Sequence, residues 1–266
     1  MSQIDDLFRR LKAEKRKAFM PFVTAGDPDL EFTAEVLQEL DKAGCSLCEV
    51  GIPYSDPIAD GPVIQASYTR ALGKKVKLRQ IFDLLGGLQT TLRMPRVTMV
   101  SYAIIYRHGL AQYVADAQAA GVAGAIVPDL LVEEADKFAA ICRRADFSLI
   151  QLVTPTTPPE RAVRIASSST GFLYYVSITG ITGERTKLPP ELLENVAWLR
   201  TQTDLPICIG FGVSQAEHVK LLAPVADGLI VGSAIVRRVA EAAHRPRAEV
   251  LREVGAYVTS LMSALG

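Results

Sequence analysis

Three carboxylates, Glu49, Asp56 and Asp60, stand in the single stretch CEVGIPYSDPIADGP (48–62), among prolines and glycines. Two carboxyl groups carried on one segment suit proton-transfer chemistry. The loop between them can hold two carboxylates on a substrate from different sides. Glu49 ends an apolar run in which Leu47, Glu49 and Gly51 alternate with Cys48 and Val50. With Cys48 and Val50 toward helices, Glu49 points into the interior of a closed sheet, near its mouth. Burial there disfavours the charged form and readies the group for acid–base work near neutral pH. Asp60 lies at the far end of the same loop, and Pro53, Pro57 and Pro62 stiffen the path between the two. The same spacing also fits a structural ion pair at Glu49 and a helix cap at Asp60. Asp56, in mid-loop before a proline, reads as a turn former.

Later loops carry glycines suited to an anion. Thr179-Gly180-Ile181-Thr182-Gly183, Gly210-Phe211-Gly212 and Gly232-Ser233-Ala234 each follow an apolar run, and the last opens a short helical stretch, 235–239. Glycine lets backbone approach a phosphate, and a helix N-terminus turns N–H groups toward it. A phosphorylated small molecule is expected, with its phosphate at these glycines and Glu49 and Asp60 at its other end.

The elements that must hold these groups alternate along the chain. Strand candidates are 19–24, 46–51, 96–101, 122–127, 147–153, 172–176, 206–209 and 228–231. Helical patterns between them include 29–43, 110–120, 132–144, 158–168, 189–201 and 214–223. Gly44 and Gly121 read as C-terminal stops, Thr157 as a cap ahead of Pro158 and Pro159, and Ser214 with Glu217 as a capping box. Strands separated by helices imply a parallel sheet with crossovers, and eight such units favour a closed (β/α)8 TIM barrel over an open doubly wound sheet. No linker divides the chain, so residues 1–266 are expected to form one domain. Ile4, Leu7, Phe8 and Leu11 recur at helical spacing and predict an amphipathic helix over 2–17 that closes the N-terminal end of the barrel.

With 29 basic and 29 acidic side chains, the chain lacks the charge of a nucleic-acid binder. It has no apolar run long enough for a membrane span, and its opening residues are charged rather than signal-like. A cytoplasmic location is expected. The CxxC at Cys45 and Cys48 has no second pair and no neighbouring histidine, and reads as reduced core thiols.

The stretch EVGIPYSDPIADGPVIQ resembles the signature of the tryptophan synthase α-subunit family. PFVTAGDPD, GAIVPDL, TGITG, PICIGFGVS and DGLIVGSAIV occur in that family's order over almost the whole chain. The resemblance implies a (β/α)8 carbon–carbon lyase of tryptophan biosynthesis that cleaves indole-3-glycerol phosphate to indole and glyceraldehyde 3-phosphate. By matching position, Glu49 is the acid–base group and Asp60 accepts the indole N–H. Phe22, Tyr102, Tyr174 and Phe211 line the indole pocket, and Gly183, Gly212, Gly232 and Ser233 hold the phosphate. Thr182 belongs to a mobile loop that engages Asp60. The resemblance also implies no cofactor or metal in this chain. It implies a β-subunit partner that carries pyridoxal phosphate and receives the indole, in an α2β2 heterotetramer. A non-catalytic activator of such a partner and a stand-alone lyase are the alternatives. One departure stands out. After Tyr102 the family usually carries Asn-Pro and a longer loop, whereas residues 103–108 here read AIIYRH, in a region that meets the β subunit.

Overall fold

The computed structural model describes residues 2–57, 60–177, 190–210 and 212–265. Helices and strands alternate along them: α1 (Gln3–Ala13), β1 (Ala18–Thr24), α2 (Leu30–Lys42), β2 (Cys48–Gly51), α3 (Pro62–Gly73), α4 (Leu78–Gly87), β3 (Arg96–Met99), α5 (Tyr102–His108), α6 (Leu110–Ala119), β4 (Val122–Ile126), α7 (Asp136–Arg144), β5 (Ser148–Ile150), β6 (Leu152–Val153), α8 (Pro159–Ser168), β7 (Leu173–Val176), α9 (Pro190–Gln202), β8 (Ile207–Gly210), α10 (Ala216–Leu222), β9 (Gly228–Val231), α11 (Ser233–Ala240) and α12 (Arg247–Ser263).

Every strand pairing is parallel. The order is β5-β4-β3-β2-β1-β9-β8-β7-β6. The two ends of that order, β5 and β6, are separated in the chain by Gln151 alone. They are halves of one strand, the first laddered to β4 and the second to β7, so the sheet closes on itself. The fold is the (β/α)8 barrel, and the open sheet is excluded. The run expected at 147–153 is interrupted at Gln151, whose carbonyl accepts from the Tyr174 N–H (3.1 Å) and whose amide donates to Ser168 Oγ (2.6 Å).

Strand alternation sorts the apolar side chains into two layers. Met20, Leu47, Val97, Ile126 and Ile230 pack inside the barrel. Phe19, Val23, Cys48 and Val50 pack outward with the helices. The parity argued for Glu49 therefore holds, because it shares the inner face with Leu47. All four cysteines are free and buried, and burial raises the thiol pKa of Cys45 to about 12, as expected of core thiols rather than reactive ones.

Helix α1 plugs the N-terminal end as its periodicity predicts. Ser2 Oγ accepts from the Asp5 N–H (3.2 Å), and the Asp5 carboxylate accepts from the Ser2 N–H (2.9 Å), a capping box. Ile4, Leu7, Phe8 and Leu11 are buried in the inner layer, with the Phe8 ring 5.7 Å from that of Phe172.

Gly44 and Gly121 take positive φ at the ends of α2 and α6, as read from the sequence. Two cap expectations fail. Thr157 accepts from the Thr154 N–H (3.0 Å) in the preceding turn, leaving Pro158 at the cap of α8. Ser214 and Glu217 form no capping box. Gln215 is the N-cap of α10, and the Ser214 N–H donates to the ring of His218 (3.3 Å). Helix α7 begins at Asp136 rather than at 132, after turns at 132–134. Among the described residues no helix is long and apolar enough to cross a membrane.

Candidate active site

The C-terminal ends of the strands surround a cavity of about 750 Å3. Phe22, Glu49, Asp60, Tyr174, Gly212, Gly232 and Ser233 all line it. Residues far apart in sequence are thus brought to one end of the barrel, where this fold places its chemistry.

Glu49 lies on the inner face of β2, in register with Phe22 on β1 and Val97 on β3. It is fully buried, and neither carboxylate oxygen has a hydrogen-bond partner among the described residues. Desolvation pushes its pKa well above the usual carboxylate range. Gly51, the next residue on that face, is fixed by close approach. A Cβ there would lie 2.5 Å from Phe22 Cζ and 2.9 Å from Tyr68 Oη, so only glycine lets the Phe22 ring lie across the strand end.

Asp60 reaches the cavity from the loop after β2. The Gln65 amide on α3 donates to the carbonyls of Asp60 (2.7 Å) and Pro57 (3.3 Å), and Thr24 and Ser67 hydroxyls 2.6 Å apart tie α3 to β1. The loop is therefore held from its far end as well as stiffened by proline. Partial burial raises the Asp60 pKa to about 6, while the Tyr54 hydroxyl favours the charged carboxylate. Asp56 is exposed, takes a hydrogen bond from Ser55 (2.6 Å) and stays off the cavity, consistent with a turn role.

The cavity lining is chemically mixed. Glu49 and Asp60 supply carboxyl groups. Gly212, Gly232 and Ser233 line it where α11 begins, and the N–H groups of a helix's first turn lack intrahelical acceptors. Met99, Leu152 and Ile230 contribute apolar wall. Their inward parity was open to the alternation argument that placed Glu49. His218 and Arg237 also line the cavity, and neither was singled out by sequence. A histidine in the helix after a glycine cluster gives no signal until α10 is seen to turn toward the barrel mouth.

Tyr102 stands elsewhere. It opens α5, where its N–H donates to Asp129 Oδ1 (2.7 Å) and Ser101 Oγ donates to Asp129 Oδ2 (2.6 Å). Its ring packs toward Phe138 and Tyr106, centroids 6.4 and 6.1 Å away, and it does not line the cavity. Helix begins directly after Ser101, so the residue follows helical rather than strand geometry. Thr182, Gly183 and Phe211 lie outside the described residues.

Comparison with known proteins identifies the family. The family model described as Tryptophan synthase alpha chain matches residues 8–264. This chain belongs to that family. Its members are lyases, with an α subunit that cleaves indole-3-glycerol phosphate and works with a β subunit. A relative from Rhodopirellula baltica named Tryptophan synthase alpha chain is 57% identical, over 100% of this chain and 99% of its own length. The crystal structure of tryptophan synthase subunit alpha from Legionella pneumophila str. Paris superposes with a TM-score of 0.90 at 34% identity, covering 100% of this chain and 98% of that one. The aminoacrylate-bound tryptophan synthase from M. tuberculosis gives 0.88 at 28% identity, with both chains covered in full.

Proposed function

We propose that this chain, as a single domain, catalyses the aldol-type cleavage of indole-3-glycerol phosphate to indole and glyceraldehyde 3-phosphate. Glu49 protonates the indole at C3, which breaks the ring's aromaticity and makes it a leaving group. Asp60 accepts the indole N–H and offsets the positive charge that develops on that nitrogen. The glycerol hydroxyl bonded to the scissile carbon then loses its proton to Glu49. Its O–H electron pair becomes the new C=O bond, and the C–C pair returns to the ring. The observation that carries this reading is the buried Glu49 carboxyl, without a hydrogen-bond partner among the described residues, on the wall of a cavity that also takes in Gly212, Gly232 and the start of α11. A carboxyl whose pKa desolvation raises keeps its proton to higher pH and can donate it to a substrate.

The cavity's phosphate end takes in Gly212, Gly232 and Ser233, with Gly183 assigned by family position. Phe22 and Tyr174 flank the indole. Thr182 and Phe211 are assigned to the substrate by the same resemblance, as is Tyr102, although its ring stands off the cavity. The partner is the β subunit, in an α2β2 complex located in the cytoplasm. Pyridoxal phosphate belongs to that partner, and this chain uses no cofactor.

The test is indole release from indole-3-glycerol phosphate by the wild type, Glu49→Gln and Asp60→Asn. Each substitution is expected to lower kcat by about 10²–10⁴-fold. Full activity in both variants overturns the roles. A wild type that binds substrate and stimulates its partner without cleaving would instead mark a ligand-binding activator.

A further inference from the structure

His218 is the third residue of α10, and its side chain is 6% exposed. Its Nδ1 accepts from the Ser214 N–H (3.3 Å). In the neutral ring that bond fixes the proton on Nε2, since one nitrogen accepts and the other donates. Nε2 has no hydrogen-bond partner among the described residues and is not one of the sealed, unsatisfied polar atoms of the interior. The ring lines the cavity together with Gly212, Ser214, Gly232, Ser233 and Arg237. A buried ring with one nitrogen clamped by the backbone two residues after Gly212 therefore presents a fixed N–H donor on the cavity wall.

We propose that His218 Nε2 donates a hydrogen bond to the phosphate of the bound ligand, and that the Ser214 backbone orients the ring for it. The inference rests on the proposed reading of these glycines as the phosphate end. Two backbone N–H groups, at Gly232 and Ser233, do not use up the acceptor capacity of a phosphate's oxygens, so a further donor has a partner there. An imidazole N–H held rigid before binding loses little entropy in making that bond. It acts on substrate and transition state alike, because the phosphate does not react, so it belongs to KM rather than kcat.

A residue that only terminated α10 would need an acceptor for the Ser214 N–H and nothing more. Substitutions separate the two roles. His218→Gln keeps both an acceptor and a donor, whereas His218→Glu keeps the acceptor and replaces the donor with a carboxylate oxygen. Binding of sn-glycerol 3-phosphate to the full chain is measured by calorimetry, beside thermal melts of each variant. His218→Gln is expected to bind within about threefold of wild type, and His218→Glu at least about tenfold more weakly. The corresponding rise in KM should come with an unchanged kcat. Equal binding by the two variants overturns the inference and leaves His218 a helix-end residue. If the Glu variant unfolds, His218→Leu replaces it, and binding equal to wild type by a folded Leu variant overturns the inference as well. Failure of the wild type to bind sn-glycerol 3-phosphate overturns the reading of the phosphate end itself, which is a distinct result.

Discussion

Glu49 has an ionisable group where the fold least tolerates its charge. Because its folded-state pKa lies above the unfolded value, the native protein retains a proton that the unfolded chain has released. Stability therefore falls as pH rises from the ordinary carboxylate range toward the raised value, and levels off above it. Glu49→Gln removes the ionisation. Its Tm should exceed that of wild type at pH 8, by about 2–4 °C for each kcal/mol recovered, and the difference should shrink toward pH 4. A gap that is the same at both pH values would contradict the buried, uncompensated carboxyl. Asp60 works in the opposite sense, since its role requires the carboxylate. With its pKa at about 6, kcat/KM should fall tenfold per pH unit below that value. Tyr54 opposes the rise in the Asp60 pKa, so Tyr54→Phe should move the acid limb to higher pH. Roughly twofold loss at pH 6 and none at pH 8 is expected from a half-unit shift. An unmoved limb would show that the Tyr54 hydroxyl leaves Asp60 alone.

Among the elements, α1 is the one whose burial was read directly from spacing, and its energetics follow from the inner layer it joins. Phe8→Ala empties the contact with Phe172 and should cost about 3–5 kcal/mol. Because α1 lies at the barrel end opposite the cavity, kcat per folded molecule should be unchanged. Loss of kcat with Tm intact would mean that the plug reaches the site. The strands were legible for the same reason as α1: a period of two or of 3.6 in apolar residues is a direct record of which face is buried. Parity alone aimed Glu49 inward. It stopped being informative where strand gave way to helix. At Tyr102, Asp129 accepts from the first turn of α5, 27 residues before it in sequence, and no local pattern announces such a partner. The same holds at α10, where Ser214 and Glu217 fit a capping box but the backbone N–H found the His218 ring. Residues 147–153 read as one strand despite Gln151, and only closure of the sheet explains why the ladder passes from β4 to β7 there.

At the scale of the molecule, the barrel gives its two ends different work, with α1 sealing one and the cavity opening at the other. The loops beyond β3 and β4 belong to the cavity end, and they carry two exposed apolar side chains, Tyr106 (68% exposed) and Leu131 (52% exposed). Asp129 joins these loops, taking hydrogen bonds from Ser101 and Tyr102, so both side chains ride on one braced piece of structure. Large apolar groups left in water at a fixed position favour contact with another protein surface. Tyr106 stands in α5, in the stretch after Tyr102 where this sequence lacks the Asn-Pro pair usual in the family. If the β subunit covers this end, Tyr106→Asp and Leu131→Asp should each weaken the complex about tenfold or more in a sedimentation or calorimetric titration, through desolvation of a charge in the contact. Indole release by the isolated variants should match that of the isolated wild type, because neither side chain lines the cavity. Activation by the β subunit should then need proportionately more β subunit to reach the same plateau. Unchanged affinity in both variants would place the partner on another face, and a lowered plateau at saturating partner would mean that α5 transmits the activation rather than only holding the partner in place.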